Sequence, residues 1–452
     1  MSPLKLTKTY EPYPKYKKSE IKWIGQIPNG WSIRKIRHST YLKARVGWQN
    51  LRSEEFGTEG VLCITGTDFK NGLVDIKNAY RVGKDRYDQD HYIQLRENDL
   101  LITKDGTIGK IALVKHLNEP ATLNSGIFVT RPQNNVYSQR FMFWVLNSRI
   151  FEEFVSDQSL GSTINHLYQN VFVNFTYPFP EKSEQDKISL YIDRKVALID
   201  QIIEKKQKLI DLLQEKRSAL ITHAVTKGLD PKAKMKPSGI DWLKEVPEGW
   251  TKNPLKYLFA YQSGGVWGEE ATGNEDDLVC VRVADYDFVE FIAHSKNFTV
   301  RNVPRIKKEL ILDEYSILLE KSGGGDQQPV GRAVRYLEKD RATCSNFIQK
   351  LQVKRKYNPE YIIYLLTALY LEGVTNKVIK KTTGIQNLDL ASFLRTDVYL
   401  PTISEQVSLV TYIKAKSYDI INLIKMINKQ VEYLSEYRSS LIYHAVTGKI
   451  KI

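Results

Sequence analysis

Two polar loops carry residue types that read nucleic acid. The first is Lys104-Asp105-Gly106-Thr107-Ile108-Gly109-Lys110. The second runs from Lys321 and Ser322 through three glycines to Asp326, Gln327 and Gln328, then Val330-Gly331-Arg332. Asp, Gln, Ser and Thr side chains match the donors and acceptors on base edges, while Lys104, Lys110, Lys321 and Arg332 suit phosphate oxygens. A phosphate-loop reading fails: GxxxxGK followed by Ser or Thr would need glycine where Lys104 stands and a hydroxyl where Ile111 stands. Both loops read as β-hairpin tips.

Two later segments carry similar types: Ser162, Thr163 and Asn165, and Thr383, Gln386 and Asn387. Each reads as base contacts or as loop caps. A basic loop with Arg45, Trp48 and Arg52 corresponds to Gln262, Ser263 and Trp267. A tryptophan present in both places reads as core rather than contact, so Arg45 and Arg52 are the stronger DNA candidates. His223 and His444 stand where a long helix should end, and a helix C-terminus satisfies a histidine without any metal. Catalytic patterns are missing: no G-x-S-x-G, no H-E-x-x-H, no dinucleotide fingerprint, and no Asn/Asp-Pro-Pro-Tyr/Phe. The chemistry on offer is binding, with no catalytic residue, no metal and no cofactor held by this chain.

These loops sit in a duplicated frame. Thr7 to Trp31 repeats at Thr226 to Trp250 without a gap, sharing Thr7, Lys8, Pro12, Lys15, Lys17, Ser19, Ile21, Trp23, Pro28, Gly30 and Trp31. Ser183-Glu184-Gln185 recurs as Ser404-Glu405-Gln406, and His223-Ala224-Val225-Thr226 as His444-Ala445-Val446-Thr447. A repeat this long is a duplicated module and not a solenoid, whose periods run roughly 20–50 residues. In each copy, buried strands (Val61 to Ile64, Leu278 to Val283) precede the hairpin. Asp68 and Asp285 sit shortly beyond those strands, and Cys63 matches Cys280. An apolar helix follows the hairpin, from Ser138 to Val155 and from Asn358 to Gly373, and each mixed region closes at Pro180 or Pro401.

Then the pattern changes to a long helix without Gly or Pro. Ile192, Val196, Ile199, Ile203, Lys206, Ile210, Leu213, Arg217 and Leu220 alternate at spacings of four and three. Ile413, Ser417, Ile420, Ile424, Ile427, Val431, Leu434, Arg438 and Leu441 occupy the same phase. That is a coiled-coil seam on a rod of about 55–60 Å. A lone helix of this length with one apolar stripe needs a partner, and the other copy matches it in length and phase. Offsets drift through the mixed regions but not along the rods, so rod length is the constrained quantity.

The net charge of +14 favours a polyanionic partner such as nucleic acid. Cys63, Cys280 and Cys344 lie far apart with no CxxC spacing, which fits a reducing cytosol. The most apolar run, Tyr361 to Leu371, is too short for a bilayer, which needs about 20 residues. The chain reads as soluble and cytoplasmic, with no signal peptide and no membrane partner.

The junction Ala224-Val225-Thr226-Lys227-Gly228-Leu229-Asp230-Pro231, followed by Lys236 to Leu243 and Val246-Pro247-Glu248-Gly249-Trp250, resembles specificity subunits of type I restriction-modification systems. Ile21 to Trp31, the Lys104–Lys110 loop, Ser-Glu-Gln before each rod and the closing Ala445 to Lys449 extend the resemblance to near the ends of the chain. It implies an α+β fold in which two globular mixed α/β target recognition domains are joined by two long helices paired as an antiparallel coiled coil, a pseudo-two-fold repeat. The implied division is 1–180 for the first recognition domain, 181–227 for the first helical region, 228–401 for the second recognition domain and 402–452 for the second helical region. It also implies double-stranded DNA and two methyltransferase subunits as partners, with restriction subunits able to join. S-adenosylmethionine then belongs to the methyltransferase subunit, and ATP and Mg to the restriction subunit. Two other classes stay open on the residues alone: a nuclease or methyltransferase in its own right, and a coiled-coil scaffold that binds only proteins.

Overall fold

A computed structural model describes residues 11–45, 51–159, 166–382 and 384–452 of the chain. It divides into two compact units: Met1–Lys205 with Lys429–Ile452, and Lys206–Asn428. The division falls within both rods, so each unit holds one mixed region, the start of one rod and the end of the other.

The first unit is built on a six-stranded sheet. Its order is Thr40–Ala44, Ile127–Pro132, Leu100–Thr103, Ile111–Leu113, Leu73–Val74 and Phe69–Lys70. The second unit repeats that order with Phe259–Gly264, Ile348–Val353, Ser316–Glu320, Ala333–Arg335, Ile292–Ala293 and Tyr286–Asp287. A smaller sheet packs on one face: Ala121–Leu123, Val61–Ile64 and Tyr80–Val82 in the first unit. Ala342–Cys344, Asp277–Val281 and Val300–Asn302 are its counterpart, with an added edge strand Glu269–Glu270. Successive side chains of a strand face opposite ways. Leu100 and Ile102 therefore enter the core shared with the helices, while Leu101 enters the core between the sheets. Ile317 and Leu319 divide from Leu318 in the same manner. Burial on both faces explains why these strands read as unbroken apolar runs.

The repeated aspartates are structural. Asp68 accepts from the Thr65 N–H at 2.7 Å, and Asp285 from the Arg282 N–H at 2.8 Å, each capping a single helical turn after its strand. The apolar helix of the second unit is continuous over Pro359–Leu371. In the first unit it breaks into Gln139–Leu146 and Arg149–Ser159. There the Asn147 amide donates to the Phe143 carbonyl and the Ser148 hydroxyl to that of Val145, bonds that compete with the helical ladder.

The rods span Lys182–Lys227 and Ile403–Val446, 46 and 44 residues. Both exceed the length read from the seam because Glu184-Gln185 and Glu405-Gln406 already lie inside the helices. In the first unit Ile192, Val196 and Ile199 share one core with Leu441, and Ile203 and Leu434 pack at its edge. In the second, Ile413 shares a core with Ile221, and Leu220 packs against it. The start of one rod thus meets the end of the other in each unit, which is antiparallel pairing. Ile210, Ile420 and Ile427 are buried, and Leu213, Ile424 and Val431 partly so, while their helical neighbours are mostly exposed.

The duplicated Ser-Glu-Gln is a joint. Glu184 accepts from the Trp31 indole at 3.0 Å, and Glu405 from that of Trp250 at 3.0 Å. Gln185 accepts from the Ser138 N–H and donates to the Pro180 carbonyl; Gln406 does the same with Asn358 and Pro401. One dipeptide therefore ties the approach segment, the apolar helix and the rod together. The other rod end docks on the same approach segment. Gly448, at φ +67°, sits where an added Cβ would lie 2.5 Å from Pro28 Cδ, and the Tyr16 hydroxyl donates to its carbonyl at 3.1 Å. Within the first unit the chain's last helix thus leads into its opening segment.

Candidate nucleic-acid interface

Each hairpin tip is held by its backbone. In the first unit the Lys104 N–H donates to the Gly126 carbonyl at 2.8 Å, and the Leu167 N–H to the Lys104 carbonyl at 2.8 Å. In the second, Lys321 N–H donates to Phe347 at 2.9 Å, and Leu388 N–H to Lys321 at 2.8 Å. Main-chain atoms need no particular side chain, so one frame tolerates different tips. Asp105-Gly106-Thr107 stands in one, Ser322 to Gln328 in the other.

The frame gathers residues far apart in sequence. In the second unit Ser322-Gly323 pairs with Gln386-Asn387, and Gln386-Asn387 pairs in turn with Lys380-Lys381. The Ser322 hydroxyl lies 2.7 Å from the Asn387 amide oxygen. Asp326 pairs with Lys381 at 2.6 Å, both well exposed, and such surface pairs are worth only ~0–1 kcal/mol. A phosphate would therefore displace Asp326 at small cost. Gln327 is exposed, with no hydrogen bond among the described residues. In the first unit Asp105 bridges to His166 and also pairs with Lys104 at 3.6 Å; Thr107 and Lys110 are exposed.

Several candidates are placed elsewhere. Arg45 is 3% exposed; its Nε donates to the Leu123 carbonyl and its Nη2 to Thr122 Oγ1, so it braces two strands and reaches no phosphate. Arg332 faces buried Glu320 at 2.9 and 3.2 Å and lies over the Phe288 ring, so its charge is already matched. Gln386 is buried and accepts from the Val330 N–H at 3.3 Å, a bond that shapes the loop. Ser263 donates to the Glu309 carbonyl, and Lys321 reaches Gln349 at 3.4 Å. Gln328 accepts from Arg332, while Arg52 and Gln262 are exposed. Trp48, Ser162, Thr163, Asn165 and Thr383 lie outside the described residues.

Trp267 is 37% exposed, not core. Arg301 stacks on its ring at 4.8 Å, and it lines a cleft of about 490 Å³ with Phe347, Asn346, Arg282, Gly323 and Gly324. Phe347 and Lys380-Lys381 were not legible as site residues. The lysine pair beside the polar segment at 382–387 was the available signal; for Phe347 there was none. Replacing Glu320 with Ala would leave Arg332 buried without its counter-charge. The expected loss is on the order of 3 kcal/mol in denaturant unfolding, with no gain in DNA affinity. Tighter DNA binding by E320A would restore Arg332 as a phosphate contact.

Among the described residues no cluster of His, Cys, Asp and Glu could hold a metal, and no helix is long and apolar enough to cross a membrane. Burial pushes the Cys63 and Cys344 thiols up to about 12, and that of Cys280 to about 11, so none is poised as a nucleophile.

A family model described as the type I restriction modification DNA specificity domain matches residues 52–212 and 247–433. The MjaVIII specificity subunit of Methanocaldococcus jannaschii is 22% identical over 430 residues, covering 94% of each chain. The EcoKI specificity subunit of Escherichia coli is 20% identical over 437 residues, covering 94% of this chain and 90% of that one. A chain from a structure addressing complex assembly and conformational transition of a type I restriction-modification system superposes with a TM-score of 0.62. It is 15% identical, with 93% of this chain and 98% of that chain covered.

Proposed function

The chain belongs to the type I restriction modification DNA specificity family, and from that premise we propose that it is the DNA-recognition subunit of a type I restriction-modification complex. Each unit reads one half of a bipartite site on double-stranded DNA. The observation that carries this reading is one backbone frame present twice with different polar tips. Different tips make the site asymmetric. We assign base reading to Thr107, Asp326, Gln327 and Gln328, and phosphate contacts to Lys104, Lys110, Lys380 and Lys381.

The paired rods set the spacer between half-sites and dock two methyltransferase subunits, to which restriction subunits can add. A second apolar stripe supports docking. On the first rod Leu198 and Ile202 are exposed in the first unit's part, and Leu209 and Leu212 in the second's. At 100° per residue these lie away from the seam, where solvent exposure is costly unless a partner covers them. S-adenosylmethionine would reside on the methyltransferase subunit, and ATP and Mg on the restriction subunit. This chain contributes recognition, not turnover.

Binding of the purified complex to DNA should weaken with salt, log K falling by about 0.9 per phosphate contact against log salt. An affinity flat in salt would contradict the interface. The chain alone with S-adenosylmethionine and DNA should transfer no methyl group; transfer would favour an enzyme in its own right.

A further inference from the structure

The rods are equivalent at an offset of 221, and one equivalent pair has lost half of itself. In the first unit Arg438 faces Asp200 at 2.9 Å, an ion pair whose N–H is not aimed squarely at the carboxylate. The second unit has Arg217 and, in place of the aspartate, Ile421. Arg217 forms no ion pair among the described residues. Its Nη2 donates to the Val289 carbonyl and its guanidinium lies 4.8 Å over the Phe291 ring, while its buried Nε has no hydrogen-bond partner. Asp287 and Glu290 act on it only from a distance. Arg217 is partly buried, and a cation drawn from water with a buried N–H unpartnered and no counter-charge is costly; an anion relieves both.

There is room for one. Arg217 lines a cavity of about 450 Å³ with Phe288, Phe291, Tyr370, Ile421 and Ile424, walls that are mostly hydrocarbon and aromatic. We propose that this cavity binds a carboxylate carried on an apolar body, the carboxylate pairing with Arg217 in the place Asp200 takes beside Arg438. Arg332, also in the wall, is already matched by Glu320 and adds no free charge. The exposed Lys425 adds attraction without enclosing the ligand. One inward-facing guanidinium in an apolar chamber suits a monoanion better than a phosphate dianion. The volume accommodates an acid of roughly eight carbons. The carboxylate has two sources, a free organic acid or an Asp or Glu side chain of a docked methyltransferase subunit. The cavity is independent of whether the chain reads DNA.

Calorimetry on the purified full chain tests the site, with octanoate as probe and octanol as its uncharged control. Octanoate should bind at about 1 mM or tighter, and octanol about tenfold more weakly. Ile421→Asp restores the missing carboxylate in place. It should abolish octanoate binding and melt no lower than the unsubstituted chain. Equal binding of octanoate and octanol, undiminished octanoate binding by I421D, or no binding of octanoate would each overturn the proposal. The same titration on the methyltransferase complex separates the sources. Exclusion of octanoate there assigns the carboxylate to the docked subunit, and retained binding assigns it to a free acid.

Discussion

Removing one heptad from both rods, Lys206–Leu212 and Met426–Glu432, will shorten the gap in the methylated motif by about three base pairs or abolish methylation. Seven residues are about 10.5 Å of helix, and duplex DNA rises about 3.4 Å per base pair. Counted from the pair Asp200 and Arg438, the two deletions are matched in position along the two rods. Seven residues return the seam to phase, so Ile203 and Leu213 keep their a/d positions and the coiled coil persists. The half-sites themselves should not change. Removing a heptad from one rod alone breaks the pairing and should cost folding. An unchanged gap after the double deletion would sink the idea that rod length measures spacer length.

Replacing Gln327 and Gln328 together with alanine will relax one half of the motif and leave the other intact. Gln327 is exposed with no hydrogen bond among the described residues. The Gln328 side chain bonds only to Arg332 there, its backbone bonds to Gly325 being indifferent to the substitution. Arg332 keeps both of its bonds to Glu320, so the frame beneath the tip stays. A bidentate base contact is worth ~1–3 kcal/mol, so discrimination at the affected position should fall about 10- to 100-fold. Thr107→Ala should do the same to the opposite half, more weakly, because one hydroxyl makes fewer contacts than two amides. Loss of specificity in both halves from either change would contradict the separate reading of half-sites.

The seam was legible because a 3.5-residue repeat over several heptads leaves few alternatives. Burial follows it from Ile192 to Leu220 and from Ile413 to Leu441. The strands at Val61–Ile64 and Leu100–Thr103 were legible as apolar runs, and both tips as turns, one after Leu100–Thr103 and the other after Ser316–Glu320. Partnership across the fold was not legible. Arg45 looks like a phosphate contact until Leu123 stands beside it, and Arg332 until its partner is seen to be Glu320. No local pattern announces that Ser322 will face Asn387. Ser-Glu-Gln was visible as a repeat, yet its purpose depends on Trp31 and Trp250, each about 150 positions away. Periodicity reports the environment of a helix or strand; a charge's counter-charge is a matter of tertiary contact.

Co-expressing this chain with a candidate methyltransferase subunit and mapping methylated bases across the host genome by long-read sequencing tests the recognition role most directly. One new two-part motif, asymmetric and with a fixed gap, is the expected result and would give both half-sites at once. A soluble, co-purifying complex that adds no motif would contradict the recognition role and favour a scaffold that binds only proteins.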